Sequence, residues 1–119
     1  MIDYSVYKDL LIEKDNGILT ITLNAPDSLN AFTAGMKRDC RDLWEALRVD
    51  DDVRVVVLTG AGDRAFCTGI DRNEPFTALG DSPALYGTSN NFMYDDPGDW
   101  LGPKSNELWK PVIGAVNGM

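Results

Sequence analysis

An unbroken run of branched aliphatic residues, Val55-Val56-Val57-Leu58, constrains the fold of this chain more than any other feature. Such a run without polar alternation predicts a strand buried on both faces, which is typical of a parallel sheet. A strand and then an amphipathic helix precede it. A strand–helix–strand order predicts a right-handed parallel crossover, so the sequence predicts an α/β fold.

The segment before this run is predicted to be a β-hairpin followed by a helix. Residues 8–14 and 18–23 read as strands, and the Asn16-Gly17 dipeptide between them is the strongest short hairpin signal. Thr33 is the predicted N-cap of a helix over Ala34–Arg48. One apolar stripe at helical spacing supports that helix; its members are Met36, Cys40, Leu43, Trp44 and Leu47.

The segment after the run is less regular. Asp50–Asp52 are expected to end the helix, because three like charges oppose its negative end. The sequence predicts a second buried parallel strand over Val112–Val116, beside the first. Residues 72–109 form a long connection, which in a compact domain is usually functional, with a short helix expected near Lys104–Trp109.

Composition and charge exclude several classes of function. The chain has 119 residues, 11 basic and 19 acidic side chains, and a net charge of -8. This balance disfavours nucleic acid and an anionic membrane surface as partners. The chain has no His, which removes Ser-His-Asp and Cys-His catalysis and His-based zinc sites. Two cysteines, no long apolar window and no basic-then-apolar start predict a cytoplasmic protein.

Two loops after the central strand could carry chemistry. Gly60-Ala61-Gly62 with Ala65 resembles a dinucleotide-binding loop, but residues 63–71 show no helical stripe, which disfavours that reading. Thr68–Asp71 is a tight turn beyond the carboxyl end of a parallel strand, where ligands bind in open α/β sheets. Gly69 permits a positive φ and close backbone approach. Backbone N–H groups there could form an oxyanion hole, and a plain glycine turn is the alternative.

Several side chains have competing interpretations. Cys67 could be a nucleophile, but a small packed cysteine is favoured because no His is present. Asp71 could be a general base, but a carboxylate that caps its own turn is favoured. Four aromatic residues line an apolar pocket or form the core of a polar loop, and both readings stay open; they are Phe92, Tyr94, Trp100 and Trp109.

Four stretches of the chain are similar to one known family. They are Leu23–Pro26, Leu29–Phe32, Val55–Asp71 (VVVLTGAGDRAFCTGID) and Lys110–Gly118 (KPVIGAVNG). Their order and spacing, and the hairpin before them, resemble the crotonase superfamily, that is, the enoyl-CoA hydratase/isomerase family. The resemblance extends from about Tyr7 to Met119.

The resemblance implies the fold and the extent of the domain. Residues 1–119 would be the N-terminal part of a single crotonase-like, acyl-CoA-binding domain, a spiral of ββα units. The chain stops three residues after an apolar strand, which also predicts that the rest of the domain lies outside it. A trimer or hexamer is expected by the same resemblance.

The resemblance also implies a mechanism. The backbone N–H of Ile70 would be one donor to an enolate-like oxyanion formed from an acyl-coenzyme A thioester. The second donor and the acid–base glutamates would follow Met119, so the isolated chain is expected to be close to inactive. Neither a metal nor a tightly bound cofactor is expected, because coenzyme A enters as part of the substrate. The implied substrate-binding residues are Ser28, Leu29, Ala65, Phe66, Thr68, Gly69, Ile70, Asp71 and Arg72.

Three functions follow in order of preference. The first is an enoyl-CoA hydratase or isomerase that stabilises an enolate oxyanion with backbone N–H groups. The second is a hydrolase or carbon–carbon lyase of the same fold, because the 72–109 connection is atypical. The third is a non-catalytic acyl-CoA-binding or subunit-interaction protein, if the chain truly ends at Met119. The family often has a basic residue where Ser28 stands, so one phosphate contact is not expected here.

Overall fold

A β-hairpin, one long helix and two parallel strands make up the fold. The computed structural model describes residues 2–69, 71, 73 and 101–118. Short 3-10 turns, at Tyr4–Val6 and Pro26–Ser28, flank the hairpin. The regular elements are β1 (Leu10–Asp15), β2 (Ile18–Leu23), α1 (Ala34–Val49), β3 (Val55–Gly60) and β4 (Val112–Gly114).

The described strands form one sheet in the order β1-β2-β3-β4. β1 and β2 pair antiparallel through the turn at Asn16 and Gly17, as the hairpin signal predicts. β2 and β3 pair parallel with Leu19 opposite Val56, so the strand–helix–strand prediction of parallel pairing is confirmed. β4 extends the sheet parallel to β3, with Val57 opposite Ile113.

α1 packs its apolar stripe on one face of this sheet. The Thr33 side chain accepts a hydrogen bond from the Met36 N–H at 3.1 Å, which confirms the predicted N-cap. Alternate residues of β2 point to the helix, because side chains of a strand alternate between faces. The buried core that results contains Leu19, Ile21 and Leu23 of β2, Val56 of β3, and Met36, Cys40, Leu43, Trp44 and Leu47 of α1.

For the described residues, the predictions that β3 is buried on both faces and that residues 112–116 form a buried strand are wrong. Val56 of β3 is fully buried, but Val57 on the opposite face is only half-buried. β4 ends at Gly114 rather than Val116, and Ile113 and Val116 are 55% and 71% exposed. A parallel strand is buried when helices cover both faces of the sheet, and α1 covers one.

The helix predicted over Lys104–Trp109 is also wrong. Residues 103–107 form hydrogen-bonded turns, with Asn106 and Leu108 both donating to the Pro103 carbonyl. Glu107 has a φ of 59°, and this left-handed residue interrupts any helical continuation. Trp109 is 74% exposed, so it is not part of a buried core.

Specific contacts of Asp50, rather than repulsion between Asp50–Asp52 and the negative end of the helix, fix the end of α1. Asp50 is buried, accepts from the Tyr4 hydroxyl at 2.6 Å and pairs with Lys14 at 3.0 Å. Lys110 donates to the Asp50 carbonyl at 2.6 Å. Burial alone would raise the pKa of Asp50, but the hydrogen bonds from Tyr4 and Lys14 outweigh it and lower that pKa. Asp50 therefore anchors the end of α1 to the N-terminal turn, to β1 and to the approach to β4.

Candidate functional site

Two loops meet beyond the carboxyl end of β3. The first follows β2 and covers residues 24–31, and the second follows β3 and includes residues 61–69 and 71. In an α/β sheet this end is where ligands bind, because the loops leave a crevice there. The contacts between the two loops therefore define the candidate site.

Phe32 joins the second loop to the start of α1 by parallel-type backbone pairing. Its N–H donates to the Gly69 carbonyl at 2.8 Å, and its carbonyl accepts from the Asp71 N–H at 3.0 Å. Gly69 has a φ of 93°, which confirms the positive φ predicted for this turn. No atom of the described residues lies within 4 Å of a Cβ built on Gly69, so the backbone of this turn is open on that side. The positive φ by itself favours glycine at this position.

Asp71 caps its own turn, as the sequence predicts. Its Oδ1 accepts from the Asn73 N–H at 2.9 Å.

Cys67 is half-buried and packs against the core, in agreement with the packed-cysteine interpretation. Cys40 lies in that core, where burial raises the pKa of its thiol to about 12. Ile70 and Arg72 lie outside the described residues, as do Phe92, Tyr94 and Trp100.

A cleft brings together predicted substrate-binding residues from both loops. Its volume is about 390 Å³, and its walls include Ser28 and Leu29 from the first loop and Thr68 and Asp71 from the second. The Thr68 hydroxyl donates to the Leu29 carbonyl at 3.2 Å across the cleft. A smaller cavity of about 170 Å³ lies on the other side of Leu29 and includes Ala65 in its lining. Phe66 lines neither space.

The first loop offers acceptors rather than donors to a ligand. The N–H groups of Ser28, Leu29 and Asn30 already donate to the carbonyls of Ala25 and Pro26. The carbonyl oxygens of Ser28 and Leu29 each accept one bond, and a carbonyl oxygen has two lone pairs. Hydroxyl or amino groups of a ligand therefore match this loop better than phosphate oxygens do.

The electrostatics of the cleft point the same way. Asp27 and Asp71 line it, and both are carboxylates that would repel a phosphate group. The smaller cavity includes the exposed Arg64 beside Asp63. Arg64 is therefore a cation close to the candidate site.

Two asparagines organise the loops, and sequence reasoning gave neither a role. Asn30 is fully buried and bonds to Ala25, Ala61 and Ala65. The side chain of Asn117 bonds to both backbone groups of Gly60 and to the Gly62 carbonyl. Both asparagines stand inside the motifs that carry the resemblance, and the Asn117-Gly118 dipeptide was a turn signal in the sequence.

In the part of the chain that the structure describes, there is neither a membrane-spanning helix nor a metal cluster. None of the described helices has the length and apolar character needed to cross a membrane. Across residues 2–69, 71, 73 and 101–118, acidic and cysteine side chains form no cluster of three that could hold a metal ion.

Comparison with solved structures supports the fold. The chain superimposes on an enoyl-CoA hydratase/isomerase from Mycobacterium paratuberculosis with a TM-score of 0.75 and 35% identity, covering 94% of this chain and 41% of that one. A second match is a putative enoyl-CoA hydratase from Streptomyces coelicolor A3(2), with a TM-score of 0.73 and 31% identity. This match covers 98% of this chain and 40% of that one.

Curated relatives agree with the structural neighbours. The chain is 34% identical over 107 residues to (E)-benzylidenesuccinyl-CoA hydratase of Thauera aromatica, covering 90% of this chain and 38% of the relative. It is 37% identical over 111 residues to 1,2-epoxyphenylacetyl-CoA isomerase of Escherichia coli K12, covering 92% and 40%. The chain thus spans about 40% of the length of these relatives.

The family match covers nearly the whole chain. Residues 13–119 match the enoyl-CoA hydratase/isomerase family, and this stretch contains all the motifs quoted above. The family resemblance and the crotonase-like α/β fold predicted from sequence are confirmed. This chain belongs to the enoyl-CoA hydratase/isomerase family of the crotonase superfamily.

Proposed function

We propose that this chain contributes the coenzyme A cleft and one oxyanion donor of an enzyme that hydrates or isomerises an acyl-CoA thioester. The pairing of Phe32 with Gly69 and Asp71 is the observation that carries the proposal. It fixes the Gly69 turn against the start of α1, beside the cleft formed by Ser28, Leu29 and Thr68. The pairing occupies the Gly69 carbonyl and the Asp71 N–H, which lie on either side of position 70 in sequence. We therefore propose that the Ile70 N–H donates a hydrogen bond to the substrate.

The chemistry explains why a fixed N–H donor would matter. When a proton leaves the carbon next to a thioester carbonyl, negative charge develops on the carbonyl oxygen. A donor held at that oxygen stabilises the transition state more than the ground state, because the charge is larger there. Loss of one such donor typically costs about 2.7–4 kcal/mol, or roughly 10²–10³ in rate.

We expect the cleft to bind coenzyme A through hydrogen-bond acceptors rather than through positively charged side chains. The free lone pairs of the Ser28 and Leu29 carbonyls would accept from the amino or hydroxyl groups of coenzyme A. With Asp27 in the wall and Ser28 where the family often has a base, phosphate attraction should be modest. We therefore propose that affinity depends more on the backbone of the two loops than on charged side chains.

The remaining catalytic groups are assigned by family resemblance alone. The second oxyanion donor and the acid–base residues would follow Met119, and we expect the 119-residue chain by itself to be close to inactive. The trimer or hexamer that the resemblance implies stays a prediction. Turnover is therefore measured on the natural protein that carries this chain.

The test replaces Gly69, whose positive φ a β-branched residue does not adopt. Gly69→Val should lower kcat/KM for a short enoyl-CoA by roughly 10²–10³. Gly114→Val is the matched control, because the nearest atom to a Cβ at Gly114 is Val116 Cγ2 at 3.9 Å and valine suits a strand. Unchanged turnover in a folded Gly69→Val protein would sink the oxyanion assignment.

A further inference from the structure

The Asn30 side chain is the only described side chain that bonds to both loops of the cleft while being completely buried. Its exposed fraction is 0%. Its Oδ1 accepts from the Ala25 N–H at 2.9 Å, and its Nδ2 donates to the carbonyls of Ala61 at 3.0 Å and Ala65 at 2.9 Å. One amide thus satisfies three backbone groups from two segments distant in sequence.

We propose that Asn30 is a positioning residue that sets the separation of the two coenzyme A-binding segments, Ser28-Leu29 and the stretch that starts at Ala65. This inference rests on the proposed function, because it assigns a role within the same cleft. Asn30 would not touch the substrate. It would act through the backbone of Ala25 and Ala65, which come shortly before the cleft-lining residues Ser28 and Thr68 in sequence.

The backbone around Asn30 shows that its placement is specific. Leu29 and Asn30 each have a φ of 56°, a left-handed conformation that is uncommon outside glycine. Asparagine tolerates this conformation better than most residues do, whereas leucine does not. Strained backbone persists where the surroundings hold it, and it concentrates at binding sites. The three bonds of Asn30 supply that restraint on the loop that presents the Leu29 carbonyl.

The Asn30 amide packs closely against the end of β3. A Cβ built on Gly60 would lie 2.8 Å from Asn30 Nδ2 and 2.5 Å from the Phe66 carbonyl oxygen. The amide is therefore enclosed between the end of β3 and the second loop. The other tether between the loops, from Thr68 to the Leu29 carbonyl, is exposed and open to competition from water.

Asn30→Asp is the sharpest test, because it keeps the shape, the left-handed tolerance and the acceptor for Ala25. It replaces the two donors with an oxygen that faces the Ala61 and Ala65 carbonyls. We expect the dissociation constant for coenzyme A to rise at least about tenfold, since small misplacements of binding groups have large effects. Asn106→Asp is the control, because Asn106 is also buried and donates to a backbone carbonyl, that of Gly102 at 2.7 Å.

The measurements are calorimetric titration with coenzyme A and urea unfolding of both variants in the natural protein. The control should lose stability and keep its affinity, whereas Asn30→Asp should lose affinity. If Asn30→Asp fails to fold, Asn30→Gly replaces it, because glycine accepts the left-handed φ without strain. A folded Asn30 variant that binds within twofold of wild type overturns the positioning role. If wild type itself does not bind coenzyme A, the proposed function fails first, and the two failures are thereby distinguished.

Discussion

Gly60, the last residue of β3, is where the second loop comes closest to the sheet. A Cβ built there would lie 2.5 Å from the Phe66 carbonyl oxygen, 2.9 Å from Phe66 Cα and 2.8 Å from Asn30 Nδ2. Two of these three atoms are backbone, so a rotamer change cannot relieve the contact. Gly60→Ala should therefore push the second loop away from β3 and disturb the bonds of Asn30.

The magnitude follows from two contributions. Inserting a methyl group into a well-packed site costs typically about 1–3 kcal/mol. Displacing the buried Asn30 amide from its carbonyl partners adds about 1–3 kcal/mol for groups left unsatisfied. Gly60→Ala should therefore lower the free energy of unfolding by about 2–6 kcal/mol, which is a large fraction of the stability of an ordinary domain.

Urea unfolding followed by tryptophan fluorescence measures this loss, and two glycines serve as controls. Gly114→Ala meets only ordinary contact at 3.9 Å and should change stability by no more than about 1 kcal/mol. Gly69→Ala meets no described atom but has a φ of 93°, so it should show only the conformational cost of about 1–2 kcal/mol. If all three variants unfold alike, the close packing of the Phe66 backbone on β3 is not a property of the folded protein.

Two further predictions concern the frame that holds the site. The folded-state pKa of Asp50 is lowered from its ordinary 3.8, so its contribution to stability is present above that value and is lost as pH falls through the folded pKa. Asp50→Asn should therefore reduce the loss of unfolding free energy as the pH falls below 3.8, measured by urea unfolding at a series of pH values. Thr33→Ala removes the N-cap of α1 and should cost about 1 kcal/mol, whereas Thr33→Ser should be nearly neutral. Equal losses for the two Thr33 variants in a thermal melt would contradict the cap.

Local patterns predicted most of the fold, because the elements near the N-terminus are set by short-range chemistry. The Asn16-Gly17 turn, the Thr33 cap and the period of the α1 stripe each have a local cause, and each is found in the structure. The burial of β4 was not predicted correctly. An apolar run such as Val112–Val116 indicates a strand, but it does not indicate which element covers that strand. Burial of Ile113 was therefore expected, and Ile113 is exposed.

The turns of the candidate site were predicted, but its internal contacts were not. The positive φ of Gly69 and the Asp71 cap follow from turn chemistry, whereas the grouping of Ser28 and Leu29 with the second loop was implied by the family resemblance. The roles of Asn30 and Asn117 could not be predicted, because each depends on hydrogen bonds to residues more than thirty positions away in sequence. Long-range partners are visible only once the sheet has brought β2, β3 and β4 together.

The direct test of the central claim is an amide chemical-shift titration of nitrogen-labelled protein with coenzyme A. Binding in the cleft between the two loops predicts that the largest shifts fall on residues 28–31 and 65–71. A third cavity, of about 570 Å³ and lined by Arg48, Glu107, Leu108, Trp109 and Lys110, provides the internal control and should show no change. Shifts concentrated around Arg48 and Trp109, with none at residues 28–31 or 65–71 under saturating coenzyme A, would contradict the account.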